Sequence, residues 1–192
     1  MTAIRAFIAI ELPDAIREKL SLLLDRLKCP ETSAVRWVPV SNIHLTLKFL
    51  GDTSPNNLEI FSKILHAEAA RRRSFEFEIG GIGTFPNLRR PRVIWVGVQA
   101  PAELIGLQRS IEGEAIRLGY NPDGRPFSPH LTLGRVNQNA TPQEVRQISD
   151  VLLKQPSEKL GKVTVDRVVL FRSDLRPNGA VYTPLATAKL GH

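Results

Sequence analysis

Two histidines of this chain stand in the same four-residue word, His-Leu-Thr-Leu, at residues 44–47 and again at 130–133. The 192 residues hold only four histidines, so the word takes half of them. Side chains on a strand alternate between faces, which sets His44 and Thr46 on one side and Leu45 and Leu47 on the other. His130 and Thr132 stand in the same relation to Leu131 and Leu133. The leucines can anchor each strand in an apolar layer, leaving two His-Thr pairs to converge in a cleft between two lobes. Two imidazoles with ordinary pKa values of about 6.5 can hold opposite protonation states near neutral pH. One would take a proton from an attacking hydroxyl while the other gives one to a departing oxygen. The threonine hydroxyls can hydrogen-bond the non-bridging oxygens of a group held between them. That layout suits in-line displacement at phosphorus.

A single His-x-Thr on a strand carries little information, because threonine is a common strand residue and a half-buried histidine an ordinary one. The repetition is what carries the signal. Two histidines can also ligate a metal, yet no Asp, Glu or third His sits at ligand spacing beside them, so no metal is expected. His66 lies off the apolar stripe of a helix and is expected to face solvent. His192 ends the chain and is expected to be disordered.

The elements that must position these residues read as follows. Residues 5–12 form a strand, and Pro13-Asp14 opens a helix to about Lys28 carrying Ile16, Leu20, Leu23, Leu24 and Leu27. Strands are expected at 34–38 and 43–50, then a helix from the turn at 52–57 to about Arg72. The stretch 74–85 alternates at period two and breaks at glycines, which points to a bulge or bend. A nearly continuous apolar strand follows at 92–98. The second half repeats the rhythm with a helix at 101–118, a turn at 121–125, the second His-Leu-Thr-Leu strand, and a helix at 141–155. Thr141 caps that helix and Pro142 is its first residue. A strand at 162–175, a turn at Pro177-Asn178-Gly179 and a return strand at 180–190 complete the chain. The expectation is one α+β domain over residues 1–192, bilobal and internally duplicated. Two antiparallel-type sheets would face a central cleft, with helices outside.

Composition narrows the class. With 42% hydrophobic and 23% charged residues, the chain reads as a soluble globular protein with no apolar run long enough for a membrane span. Its start lacks the pattern of an export signal, and Cys29 is the only cysteine, so a reducing cytoplasmic setting is expected. Twenty-six basic against nineteen acidic residues give a net charge of +7, a pointer to a polyanionic partner. Arg71, Arg72 and Arg73 close a helix, where positive charge suits the dipole. Arg89, Arg90 and Arg92 lie in a loop with no such reason, and phosphate contact is one expectation for them.

At this point the residues resemble a known family. The paired His-Leu-Thr-Leu words look like the two His-x-Thr-x signatures of the 2H phosphoesterases. "WVPVSNIHLTLKFLG", "RPRVIWVGV" and "FSPHLTLGRV" look specifically like the RNA 2′,3′-cyclic phosphodiesterases of bacteria and archaea, long called 2′-5′ RNA ligases. The resemblance implies a pseudo-twofold bilobal fold with the active site in the cleft. It implies hydrolysis of a 2′,3′-cyclic phosphate at an RNA 3′ end to a 2′-phosphate, without metal or nucleotide cofactor, with 2′-5′ joining as the related reversible reaction. Carried over by position, His44 would be the proton donor and His130 the proton acceptor, a split that the near-symmetry of the two words does not itself fix. Thr46, Thr132 and Arg135 would bind the phosphate, and Phe49 would stack on the terminal base. Strict alternation conflicts with the last two roles, because it puts Phe49 and Arg135 on the face opposite the histidines. Either the strand bulges near Lys48 or Phe49 is core. Because each half supplies a half-site, a monomer is expected. Two further readings stay open: cyclic phosphodiester opening on a small nucleotide such as an ADP-ribose derivative, and a module that binds RNA ends without turnover.

Overall fold

Sheet connectivity is what brings the two histidine words together. The computed structural model describes residues 3–156, 159–177 and 179–191. In chain order the elements are β1 (Ile4–Ile10), α1 (Asp14–Leu27), β2 (Val35–Trp37), β3 (Leu45–Thr53), α2 (Pro55–Ala70), β4 (Phe75–Phe85), β5 (Val93–Gln99), α3 (Ala102–Arg117), β6 (His130–Val136), α4 (Pro142–Leu153), β7 (Lys159–Val165), β8 (Arg167–Arg176) and β9 (Gly179–Lys189). Helix starts follow local chemistry. The Ser54 side chain accepts from the Asn57 amide ahead of Pro55, and Thr141 forms a reciprocal capping box with Glu144 around Pro142.

The strands run in the order β7-β4-β5-β6-β3-β1-β8-β9, with β2 added alongside β6. All neighbours are antiparallel. Four strands make one lobe (β7, β4, β5, β6) and four the other (β3, β1, β8, β9). The lobes join edge to edge through β3 and β6, whose ladder is the single position Leu45 opposite Leu131. The sheet is therefore continuous and opens into two wings from that seam.

The glycine break in 74–85 is the bulge that its pattern pointed to, whereas the strand expected at 162–175 differs from what forms. The glycine-rich stretch of β4 does not end the strand; Gly81 takes φ +71° and a register shift falls between Gly80 and Ile82, so the ladder with β5 continues through a bulge. Residues expected to form one strand at 162–175 instead form two, parted at Asp166. β7 pairs with β4 in one lobe and β8 with β1 in the other. Val163 and Val165 before the break and Val168 and Leu170 after it all face the main core, and the alternation slips by one residue at Asp166-Arg167. The expected turn centred on Asn178, and His192, fall outside the described residues.

The helices cover one face of the sheet. α2 packs on β8 and β9, α3 on β3 and α2, and α1 on β7. The main core lies under them, with Leu20, Leu24, Phe61, Leu65, Leu107 and Ile111 against Ile8, Leu45, Leu131 and Leu170. On the opposite face a smaller cluster of Phe7, Ala9, Val169 and Phe171 gathers against Tyr182. Burial of this kind contributes on the order of 1.5–3 kcal/mol per large apolar side chain.

Candidate active site

The seam sets the site. Leu45 and Leu131 are both fully buried, so the residues flanking them face away from the helix-covered core. With Leu45 opposite Leu131 in an antiparallel register, His44 comes beside Thr132 and Thr46 beside His130. Each histidine of one half thus neighbours the threonine of the other. Among the described residues no group of three His, Cys, Asp or Glu side chains forms that could hold a metal ion.

A matched pair of bulges resolves the alternation conflict. On β3, Lys48 lies opposite Ile8 and Thr46 opposite Ala9, which leaves Leu47 without a partner. On β6, Gly134 lies opposite Ile94 and Thr132 opposite Trp95, which leaves Leu133 without one. The last leucine of each word is therefore the extra residue, and the strand changes phase after it. Phe49 then pairs with Phe7, two residues from the Ala9 that faces Thr46, so Phe49 and Thr46 share a face. Arg135 pairs with Val93, two residues from the Trp95 that faces Thr132, with the same result. Phe49 is 61% exposed, a large ring left open on the cleft side rather than a core residue. Arg135 is exposed, and both threonines are half-buried.

Both imidazoles are oriented alike. His44 Nδ1 lies 2.8 Å from the Asn42 carbonyl oxygen and His130 Nδ1 lies 2.7 Å from that of Ser128. A carbonyl only accepts, so each Nδ1 carries a hydrogen and each Nε2 is left to take or give a proton. The turn holding Asn42 is pinned by its own side chain, whose Nδ2 donates to the Ala180 carbonyl at 2.7 Å.

Their surroundings differ. His44 stacks on Phe7 with centroids 4.7 Å apart, and the edge-on ring of Tyr182 stands 5.3 Å away. Burial among these rings pushes the His44 pKa down to about 4, against the hydrogen bond to Asn42, which raises it. His130 meets Phe85 edge-on at 4.9 Å and Trp95 at 6.4 Å. Burial raises the Tyr182 hydroxyl pKa, while the charges of Arg135 and Arg5 oppose that shift. Arg135 from one lobe therefore acts on a hydroxyl of the other.

Five aromatic neighbours of the histidines (Phe7, Phe171, Tyr182, Phe85 and Trp95) were not among the residues singled out by sequence. A period-two reading of Arg5, Phe7 and Ala9 as a second, non-core face of β1 would have found the first of them. Elsewhere, Arg72 reaches from just beyond the end of α2 to the Gly106 carbonyl and Ser110 Oγ, and Arg71 pairs with Glu68. Arg89 and Arg90 are exposed on the β4–β5 loop, whereas Arg92 donates to the Asn137 and Gln138 carbonyls. His66 is exposed, as its place on the helix implied.

Comparison with known proteins agrees with this architecture. The model of the LigT-like phosphoesterases matches residues 10–95 and again 96–182, one match for each half. An RNA 2′,3′-cyclic phosphodiesterase of Methanothermobacter thermautotrophicus is 34% identical over 187 residues, covering 97% of this chain and 99% of that one. Its counterpart from Archaeoglobus fulgidus is 34% identical over 181 residues, covering 94% of this chain and 97% of the other. The crystal structure of E. coli LigT complexed with 3′-AMP superposes with a TM-score of 0.80 at 30% identity, covering 99% of each chain. With both halves matched and the fold shared end to end, the chain belongs to the LigT-like phosphoesterases of the 2H family.

Proposed function

We propose that this protein hydrolyses the 2′,3′-cyclic phosphate at an RNA 3′ end to a 2′-phosphate. The observation that carries the reading is the seam at Leu45–Leu131, which sets two His-Thr pairs side by side, each imidazole with Nδ1 held and Nε2 free. His130 Nε2 takes a proton from water as its oxygen attacks phosphorus. The bond from phosphorus to the 3′-oxygen breaks in line, and His44 Nε2 gives that oxygen its proton. The product carries a 2′-phosphate and a 3′-hydroxyl. Thr46 and Thr132 donate to the non-bridging oxygens, and Arg135 offsets their charge.

His44 must be protonated to act as the acid, although burial holds its pKa down to about 4. A bound phosphate counters this, since a negative charge within a few ångströms favours imidazolium. Phe49 takes the terminal base on its exposed ring. The proton transfers and the phosphate charge are met by His, Thr and Arg side chains, so the reaction is taken to run without a metal ion. With a 5′-hydroxyl in place of water, the same steps join RNA ends 2′-5′.

Net charge +7, the open Phe49 ring and the substrates named for the relatives favour RNA over a small nucleotide. One chain supplies both half-sites, so a monomer in the cytoplasm is the proposed working form. No helix among the described residues is long and apolar enough to cross a membrane. The test is a product assay in EDTA on an oligoribonucleotide ending in a 2′,3′-cyclic phosphate, with wild type, His44→Ala and His130→Ala. Conversion to a 2′-phosphate by wild type alone is expected. Failure of wild type, or turnover surviving both substitutions, would overturn the reading.

A further inference from the structure

Lys48 is the one charged residue that β3 buries completely beside the cleft strands; its side chain is 1% exposed. Its ammonium lies 2.8 Å from Glu112 Oε2, 3.0 Å from Asp123 Oδ1, and donates to the Asn121 carbonyl at 3.1 Å. Glu112 Oε1 also accepts from the Asp123 amide at 2.8 Å. All three ammonium protons thus have acceptors, and the groups that supply them come from α3 and from the connection between α3 and β6. That connection runs on to Pro129 and includes Ser128, whose carbonyl orients His130.

The position of Lys48 matters as much as its partners. It directly follows the bulged Leu47 and directly precedes Phe49. After the bulge, Lys48 points under the helices and Phe49 into the cleft. A slip of one residue would put Phe49 beneath α3 and strip the ammonium of its carboxylates. An unpaired buried charge is strongly destabilising, so the cluster resists that slip.

We infer that Lys48 is a positioning residue for base recognition: gripped by Glu112, Asp123 and the Asn121 carbonyl, it fixes the phase of β3 that presents Phe49 to the cleft. This rests on the reading that Phe49 receives the terminal base. The role also ties the two halves together, since the groups that hold Lys48 belong to the segment leading to His130.

The experiment compares adenosine 2′,3′-cyclic phosphate with ribose 2′,3′-cyclic phosphate, which lacks the base, in wild type, Lys48→Met, Phe49→Ala and the double variant. The quantity read is the ratio of kcat/KM between the two substrates, which a general loss of stability or of His130 alignment does not change. Loss of stacking in Phe49→Ala is expected to reduce the ratio by about ten- to a hundredfold. Lys48→Met should reduce it comparably, through a higher KM for the adenosine substrate, and the double variant should be no worse than Phe49→Ala. A Lys48→Met protein with the wild-type ratio, or a double variant with multiplied losses, would overturn the inference while leaving the base-stacking role intact. An unchanged ratio in Phe49→Ala would remove both. If Lys48→Met does not fold, Glu112→Gln keeps the shape and removes one charge. A ratio reduced severalfold in that variant supports the role, and an unchanged one overturns it.

Discussion

The imidazole of His44 lies face to face with the ring of Phe7, centroids 4.7 Å apart and planes inclined by 23°. This contact removes water from one side of the group proposed to protonate the leaving oxygen, and it is part of why burial brings the pKa to about 4. In the free protein His44 is therefore neutral at pH 7. NMR titration of the imidazole carbons should show this value without ligand and a rise of at least one unit when a nucleoside 2′-phosphate fills the cleft. If saturating product leaves the value where it was, His44 is not the acid, and the two histidines exchange roles.

The same shift has a consequence for stability. The folded pKa of His44 lies below the ordinary value of about 6.5, so the unfolded chain binds more protons between those two values. The contribution is present in full above about 6.5 and is lost as pH falls through about 4. Between pH 7 and pH 5 the loss amounts to roughly 2 kcal/mol. His44→Phe keeps a ring against Phe7 and cannot titrate. Unfolding free energies from urea titrations at the two pH values should differ less in that variant than in wild type, by about 2 kcal/mol; equal pH dependence in both proteins would contradict the assignment.

Thr46 and Thr132 flank the seam symmetrically, and valine matches threonine in shape while lacking the hydroxyl. Thr46→Val and Thr132→Val should each lower kcat/KM on a cyclic-phosphate RNA end by about ten- to a hundredfold, the worth of a hydrogen bond to a charged group. Thermal midpoints should barely move. A variant as active as wild type would remove that hydroxyl from the phosphate site.

Leu45 and Leu131 are fully buried where the two lobes meet. Either leucine changed to alanine should cost about 2–5 kcal/mol by urea unfolding. Because the two are neighbours across the ladder, the double change should depart from the sum of the singles by at least about 0.5 kcal/mol. Strict additivity would mean that the seam does not pack as described.

Much of this was legible in the chain itself. The leucines of both words, the Thr141-Pro142 helix start and the apolar stripes of the helices declare themselves through spacing and local hydrogen-bond chemistry. The bulges at Leu47 and Leu133 do not, because a bulge is defined by which residue of the neighbouring strand is skipped. Local sequence therefore put Phe49 and Arg135 on the wrong face, while positional likeness to the family put them on the cleft side. The break at Asp166 shows in the sequence only as two adjacent polar residues, Asp166 and Arg167; the partner strands that assign its two sides to different lobes lie far away in the chain. Lys48 is a lone basic residue within an apolar strand segment. Its partners lie 64 and 75 residues further along the chain, beyond the reach of any local pattern.

The exchange of strands between halves also fixes an order of events during synthesis. β7, β4, β5 and β6 are all available once residue 165 has been made, so the lobe bearing His130 can close early. β1 and β3 wait with one edge open until β8 and β9, which span residues 167–189, have been made. Such distant pairing is slow to form and leaves an unpaired edge free to meet other chains. Truncation within residues 167–189 should therefore yield a nascent chain with one finished wing and one sticky one, a client for chaperones rather than a half-active enzyme.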